Sequence, residues 1–472
     1  MSVRDCSILA LVLVGLQVLS AGQNPPTQTN DPQRSAPAPA LTGLAGIDAP
    51  ATEEDTSSGL PKIPPVLGGR GPSMAFGAES ERSNYLRGGL NVGAAYDDNA
   101  LLTPTNGVGN VTYSVFPNIS IEQTLPRIRW SLGYAAGLTV NQRLSDKNQG
   151  SHDLNFESLF RLSPHVNLRV AEDFSLTSGV FDGGTGAVVQ PGAGGSNTGL
   201  ITPLASKRAS ATVVETNYQF ALRDVVGASG SFYDLHYRAA PVGTQTLVDT
   251  RTASGSAFWL HRLFRQDWAG LSYGFERLTF DPDGETRVHS FLVVNTLSVT
   301  SKFTISAFIG PEYSDNRGVA AVDPGAGVTQ FSDWSLAGGL EGGWQSKRTS
   351  LAAGYSKRVN DGGGVLGVVR LQSIHANFRR ELFPGWAASF GVGYGQNRSL
   401  TLPVGGSPTS IDTTSFSASL ERNIGRSLGL RMGYWRDFQS QSGSSITSQN
   451  FDAHRNRYSV TLSYQWAKPL GR

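Results

Sequence analysis

The sequence predicts an all-β protein: a transmembrane antiparallel β-barrel of about 18 strands, preceded by an export signal and a disordered leader. Three observations predict it. Stretches of roughly ten residues alternate oily and polar side chains, as a tilted membrane strand requires. Tight turns alternate with long Gly-rich polar loops. Aromatic residues gather at the ends of the alternating stretches, where amphipathic rings meet a membrane interface. The final stretch shows all of this at once. Tyr458, Val460, Leu462, Tyr464 and Trp466 fall on one face, and Arg457, Ser459, Thr461, Ser463 and Gln465 on the other. In a soluble sandwich two such oily faces would meet in a dry core. Sandwich strands average about five or six residues, however, and these are nearly twice as long.

The chain opens with Arg4 ahead of an apolar run from Ile8 to Leu19, closed by Ser20-Ala21-Gly22. The run is too short to anchor a helix across a bilayer, so residues 1–22 read as a cleaved secretory signal peptide. Cys6, the one cysteine, precedes that run and is no lipoprotein anchor. Residues 23–78 follow, with Pro25, Pro26, Pro32, Pro37, Pro39, Pro50, Pro61, Pro64, Pro65 and Pro72 among Ala, Thr, Ser and Gly. So little of that segment can be buried that a disordered periplasmic leader is predicted, with a plug or partner-binding tail as the alternative.

Residues 79–472 are assigned to the barrel. Short turns are predicted at 125–127, 163–165, 223–225, 264–266, 300–302, 346–348, 383–385 and 425–427. Long loops are predicted near 97–110, 142–152, 177–206, 235–250, 281–287, 314–331, 358–367, 396–412 and 439–455. Turns and loops together delimit eighteen strands, an even number, with both ends of the barrel on the short-turn side, which faces the periplasm. Ile128, Trp130, Leu132, Tyr134, Leu138 and Val140 make one lipid face. Trp334, Leu336, Leu340 and Trp344 make another, and Leu428, Leu430, Met432 and Tyr434 a third.

Composition excludes other classes. A formal charge of +2 and 16% charged residues favour neither nucleic acid nor an acidic partner. The seven histidines are scattered, so no metal site and no cofactor are predicted. The Gly192–Gly199 run opens no helix and suits no phosphate cradle. Asp281-Pro282-Asp283-Gly284-Glu285 lacks the spacing of a calcium loop and reads as a tight turn. No nucleophile is singled out, so the chain is read as a non-enzyme.

Where the first predicted strand meets its loop stands Tyr96-Asp97-Asp98-Asn99. Its clustered oxygens could hold calcium, but Asp and Asn also start turns and cap strand ends, and that reading is preferred. Here the chain resembles the outer-membrane barrels of the beta-barrel porin type 2 family, which share a similar Tyr-Asp-Asp-Asn motif. A weaker echo is Tyr313-Ser314-Asp315-Asn316. The resemblance implies association with exopolysaccharide synthesis and export, and it supplies no catalytic residues. The chain departs from most such barrels in running past Trp466 to Arg472, where the barrel assembly machinery reads the final strand.

With one face given to lipid, Glu122, Arg129, Asp153, Glu157, Arg161, Arg169, Asp173, Glu215, Glu276, Glu421, Arg431 and Arg457 point inward. Mixed charges of this kind either set a transverse field in a water-filled channel or pair across strands to stiffen the wall. The sequence therefore predicts a bacterial outer-membrane channel for passive diffusion of small hydrophilic solutes. A component of polysaccharide export or surface attachment is the alternative, and an outer-membrane hydrolase the least favoured.

Overall fold

A computed structural model describes residues 84–104, 106–145, 148–177, 206–237, 247–281, 284–317, 331–362, 366–400, 409–425, 427–443 and 452–470. The signal peptide, the leader and most of the 177–206 loop lie outside the described residues. Eighteen strands follow one another. The first six are β1 Tyr85–Asp97, β2 Asn110–Thr124, β3 Ile128–Asn141, β4 Gln149–Arg161, β5 Val166–Thr177 and β6 Lys207–Ala221. Next come β7 Asp224–Tyr237, β8 Thr250–Phe264, β9 Asp267–Phe280, β10 Gly284–Thr300, β11 Phe303–Arg317 and β12 Phe331–Gln345. The last are β13 Thr349–Gly362, β14 Leu366–Phe383, β15 Trp386–Ser399, β16 Ser410–Ile424, β17 Leu428–Ser442 and β18 Ala453–Pro469.

Each strand pairs antiparallel with its neighbour in sequence, and β1 also pairs with β18 from Tyr85 opposite Pro469 to Asp97 opposite Arg457. The sheet is thereby a closed barrel without a free edge, the one all-strand arrangement that satisfies every backbone group inside a bilayer.

Register divides the side chains between two solvents. Leu138, Leu271, Val293, Ile309, Leu336 and Leu340 stand on the outer face, each more than half exposed. A soluble protein does not leave such a contiguous apolar band open, whereas a barrel wall facing lipid must. Aromatics border the band. Tyr218, Trp259, Trp344 and Trp466 mark the short-turn side, and Tyr96, Tyr113, Trp334 and Tyr458 the loop side. On the turn side Arg422 lies over the Trp386 ring, 5.0 Å from its centroid, keeping its charge at the interface while its stem covers apolar surface.

The short turns fall within a residue or two of their predicted positions. Gly385 (φ +78°) and Gly425 (φ +66°) supply the left-handed conformation that two of them need. The loops are shorter than predicted. The 358–367 and 281–287 segments are mostly strand, because β13 runs to Gly362, β14 starts at Leu366 and β10 starts at Gly284. Polarity alone misplaced those boundaries. Beyond the bilayer a strand needs no oily face, since its backbone ladder is complete and water solvates both sides.

One seam departs from the regular pattern. The β12–β13 pairing ends at Gly338 opposite Lys357, yet β13 stays paired with β14 as far as Gly362. The loop-side end of β13 therefore comes away from β12 and keeps its pairing with β14, which itself stays on β15. Buried apolar side chains cluster on the inner face rather than between layers. One cluster joins Val225, Phe258, Leu260, Trp268, Val294 and Phe308 from β7 to β11. A second joins Leu278, Phe280 and Val288 to Val359, Val368 and Leu400.

Candidate functional site

The lumen wall is built from the inward residues of each strand, and cross-strand register decides which charges meet. Glu122 on β2 lies between two arginines of flanking strands: Arg129 Nη2 donates to its Oε1 at 2.8 Å, and Arg87 Nη2 lies 3.5 Å from its Oε2. Glu421 on β16 is held the same way, by Arg379 of β14 at 2.8 Å and Arg431 of β17 at 3.4 Å. On β5 the arrangement is inverted. Arg169 stands between Glu157 of β4 at 2.7 Å and Glu215 of β6 at 3.2 Å. Asp173 is two residues further along the same inner face of β5, and Asp153 faces the lumen from β4.

The wall therefore carries two base-flanked carboxylates, on β1–β3 and β14–β17, and one acid-flanked arginine on β4–β6. Strands β18 and β1 join the first two into one continuous arc, because the barrel closes there. The arc on β4–β6 holds the excess of carboxylates. Arg161 projects inward at the turn-side end of β4, and Glu276 inward from β9, buried. All twelve residues assigned inward from the sequence have inner-face register. Sequence reasoning omitted Arg87 and Arg379, which complete the two base-flanked sites. Each is placed by pairing across strands, which one chain's alternation does not reveal.

Nearer the loops the charges are almost fully enclosed. Arg455 pairs with Asp437 at 2.8 Å, and Arg457 lies 3.7 Å from Asp97. The four side chains are at most 9% exposed. The Tyr96–Asn99 motif sits directly above them. Asp97 Oδ1 accepts the Asn99 amide at 3.0 Å. Asp98 accepts from the amide and the side-chain nitrogen of Asn456 on β18, at 2.7 and 2.6 Å. Asn99 donates to the carbonyls of Thr103 and His454 and accepts the Thr103 amide at 3.0 Å. These oxygens are engaged by N–H groups, so the motif folds the first loop and binds it to the last strand. Among the described residues no cluster of metal-ligating side chains occurs. Asp281 and Gly284 close β9 on β10, with Gly284 opposite Phe280, while Pro282 and Asp283 lie outside the described residues.

The β13–β14 hairpin folds inside the barrel. Glu312, buried on the inner face of β11, accepts the Val359 amide at 2.9 Å and the Ser335 hydroxyl at 3.3 Å. Arg370 of β14 bypasses β13 and reaches Asp333 on the inner face of β12 at 2.5 Å. Val368 and Val369 point to opposite faces and both are fully buried, so each face of the hairpin is covered. Val359 and Val368 thereby pack against Leu278, Phe280 and Val288 on the inner wall of β9 and β10. No signal for it was read from the sequence. Val365 to Val369, an apolar run with both faces oily that begins inside the predicted 358–367 loop, was the available one.

Among the described residues two Asp–His pairs occur. His261 Nδ1 lies 2.8 Å from Asp224 Oδ1, and His236 pairs with Asp249. The first pair is on the outer face of β7 and β8, and the second joins the loop-side end of β7 to the residue preceding β8. Among the described residues neither imidazole meets a serine or threonine hydroxyl, the third member that triad chemistry requires.

No family model matches the chain, and no curated protein matches its sequence. Solved outer-membrane barrels are similar in fold. OpdK of Pseudomonas aeruginosa, crystallised with vanillate, is 10% identical with a TM-score of 0.41, covering 81% of this chain and 99% of its own. OccK2 (OpdF) of the same organism, in complex with glucuronate, is 10% identical with a TM-score of 0.43, covering 81% and 98%. The ferric citrate transporter FecA is 9% identical with a TM-score of 0.45, covering 86% and 82%.

Proposed function

We propose that this protein is a channel of a Gram-negative outer membrane that passes small hydrophilic solutes down their gradients. One observation carries the reading: a closed barrel of 18 strands bears an apolar band outside and cross-strand charge networks inside. A wall facing lipid on one side and polar and charged on the other suits an interior that holds water and what dissolves in it. At this strand number the interior exceeds what side chains can fill. The twelve inward residues, with Arg87 and Arg379, form the selectivity surface. The base-flanked sites on β14–β3 and the carboxylate-rich arc on β4–β6 set a transverse field that orients dipolar or zwitterionic solutes. The β13–β14 hairpin narrows the mouth through which they enter.

In this reading the short turns and the leader 23–78 are periplasmic, residues 1–22 direct export, and the barrel assembly machinery inserts the chain. The polysaccharide-export role implied by the Tyr96–Asn99 resemblance gains no support from the lumen geometry. Its motif is engaged in loop closure. Reconstitution in planar bilayers tests the proposal: discrete current steps support it, and a folded barrel that passes no current rejects it.

A further inference from the structure

We propose that the outer face of β6–β11 binds the phosphate groups of a phosphorylated glycolipid in the outer leaflet. This rests on the reading that the loops face outward from an outer membrane, but not on the lumen being open. On the loop side of this arc, above the apolar band, Arg208, Arg251, Arg277, Arg287 and Arg317 stand on the lipid-facing side of β6, β8, β9, β10 and β11. Three acids pair with them, and Asp249 and Asp281 also lie near Arg251. Asp234 lies 3.4 Å from Arg208 and 2.8 Å from Arg251. Glu285 lies 2.8 Å from Arg277 and 2.6 Å from Arg287, and Asp315 lies 3.0 Å from Arg317.

The partition of exposure gives the site its character. The acidic side chains are 12–24% exposed, while the arginine side chains are 39–71% exposed. Each of these three acids is less exposed than the arginines it pairs with, so the acids hold the arginines from beneath.

Position supplies the second argument. Below the β9–β11 part of the belt runs an aromatic row that continues onto β12. His289 contacts Phe275 and Tyr313, with centroids 5.0 and 6.4 Å away, and Tyr313 contacts Trp334 at 5.0 Å. Aromatic rows of this kind mark the membrane interface, so the arginines above it lie at headgroup depth. A planar guanidinium fork matches phosphate oxygens in pairs, and Arg serves that task better than Lys. Acyl chains would run down over the aromatics and the apolar band.

The test uses the full chain purified in detergent and native mass spectrometry with bisphosphorylated lipid A, the same glycolipid after phosphatase treatment, and phosphatidylglycerol. Bound bisphosphorylated lipid should survive where the dephosphorylated form does not. R251Q/R277Q/R287Q should weaken retention by about tenfold or more, as losing charge-assisted hydrogen bonds implies. R398Q, at an exposed outward arginine on β15, should leave it unchanged. Heat-modifiable gel mobility checks that each variant is folded. If the triple variant is not folded, R251Q alone, at the most exposed of the five, serves in its place. Equal retention of phosphorylated and dephosphorylated glycolipid would overturn the proposal. So would unchanged binding by folded variants, or a lipid-independent dimer that the triple variant disrupts.

Discussion

Asp98 in the first loop accepts two hydrogen bonds from Asn456 on the last strand, one from its backbone amide at 2.7 Å and one from its side chain at 2.6 Å. The two residues are 358 positions apart in sequence, so this contact forms only when the barrel closes. Asp98→Ala should lower stability by about 1–3 kcal/mol, the cost of leaving buried donors unmet. The β1–β18 ladder should keep the barrel closed. Urea titration in lipid vesicles checks the loss, and heat-modifiable gel mobility checks the closure. A loss of closure would mean that the loop, and not the strand ladder, seals the seam.

The division of solvents predicts opposite outcomes for adjacent residues. Leu132 faces lipid, as does its cross-strand partner Phe156, whereas Ser131 and its partner Glu157 face the lumen. Leu132→Arg should cost about 2–4 kcal/mol in vesicles if it lies at the bilayer midplane. Ser131→Arg should fold with little loss and shift ion selectivity, since it enters beside Glu157. Ser463 is a poorer choice for the same comparison, being 7% exposed and hydrogen-bonded to the Gly429 carbonyl at 3.2 Å.

Alternation made this much legible. Strand number, turn positions and the inward face of each charged residue all follow from a period of two and the chemistry of short turns. Contacts between strands were not legible. Glu421 read as one inward acid, yet its character depends on Arg379, 42 positions earlier by the two residue numbers, which only register places beside it. The inner apolar cluster was missed for a different reason. Phe258, Trp259 and Leu260 are oily in succession, so they carry no alternation, and the sequence does not say which side of the wall packs. Loop boundaries were drawn too wide because polar residues that leave the bilayer look the same whether paired or not.

Arg169 holds Glu157 and Glu215 together on the lumen wall. Arg169→Gln should leave those carboxylates and nearby Asp173 without their shared cation, so the channel should become more cation-selective. Reversal potentials under a salt gradient would show it. A shift toward anions would contradict the assignment of this arc to the permeation path.

The hairpin gives a prediction of opposite sign to a loss of function. Glu312→Ala removes the acceptor of the Val359 amide and the Ser335 hydroxyl, loosening the loop-side end of β13 from β11. Arg370→Gln removes the second tie, to Asp333. Together they should raise single-channel conductance or its noise, with the barrel still folded. Conductance identical to the parent would show that the hairpin lies clear of the permeating ions.

The central claim is that the charged interior is a water-filled path. Single-channel recording of the refolded full chain in planar bilayers tests it most directly. The account predicts discrete, ohmic current steps whose cation preference rises in Arg169→Gln. A preparation that is heat-modifiable, and therefore folded, yet gives no current steps above the bare-membrane baseline would contradict it.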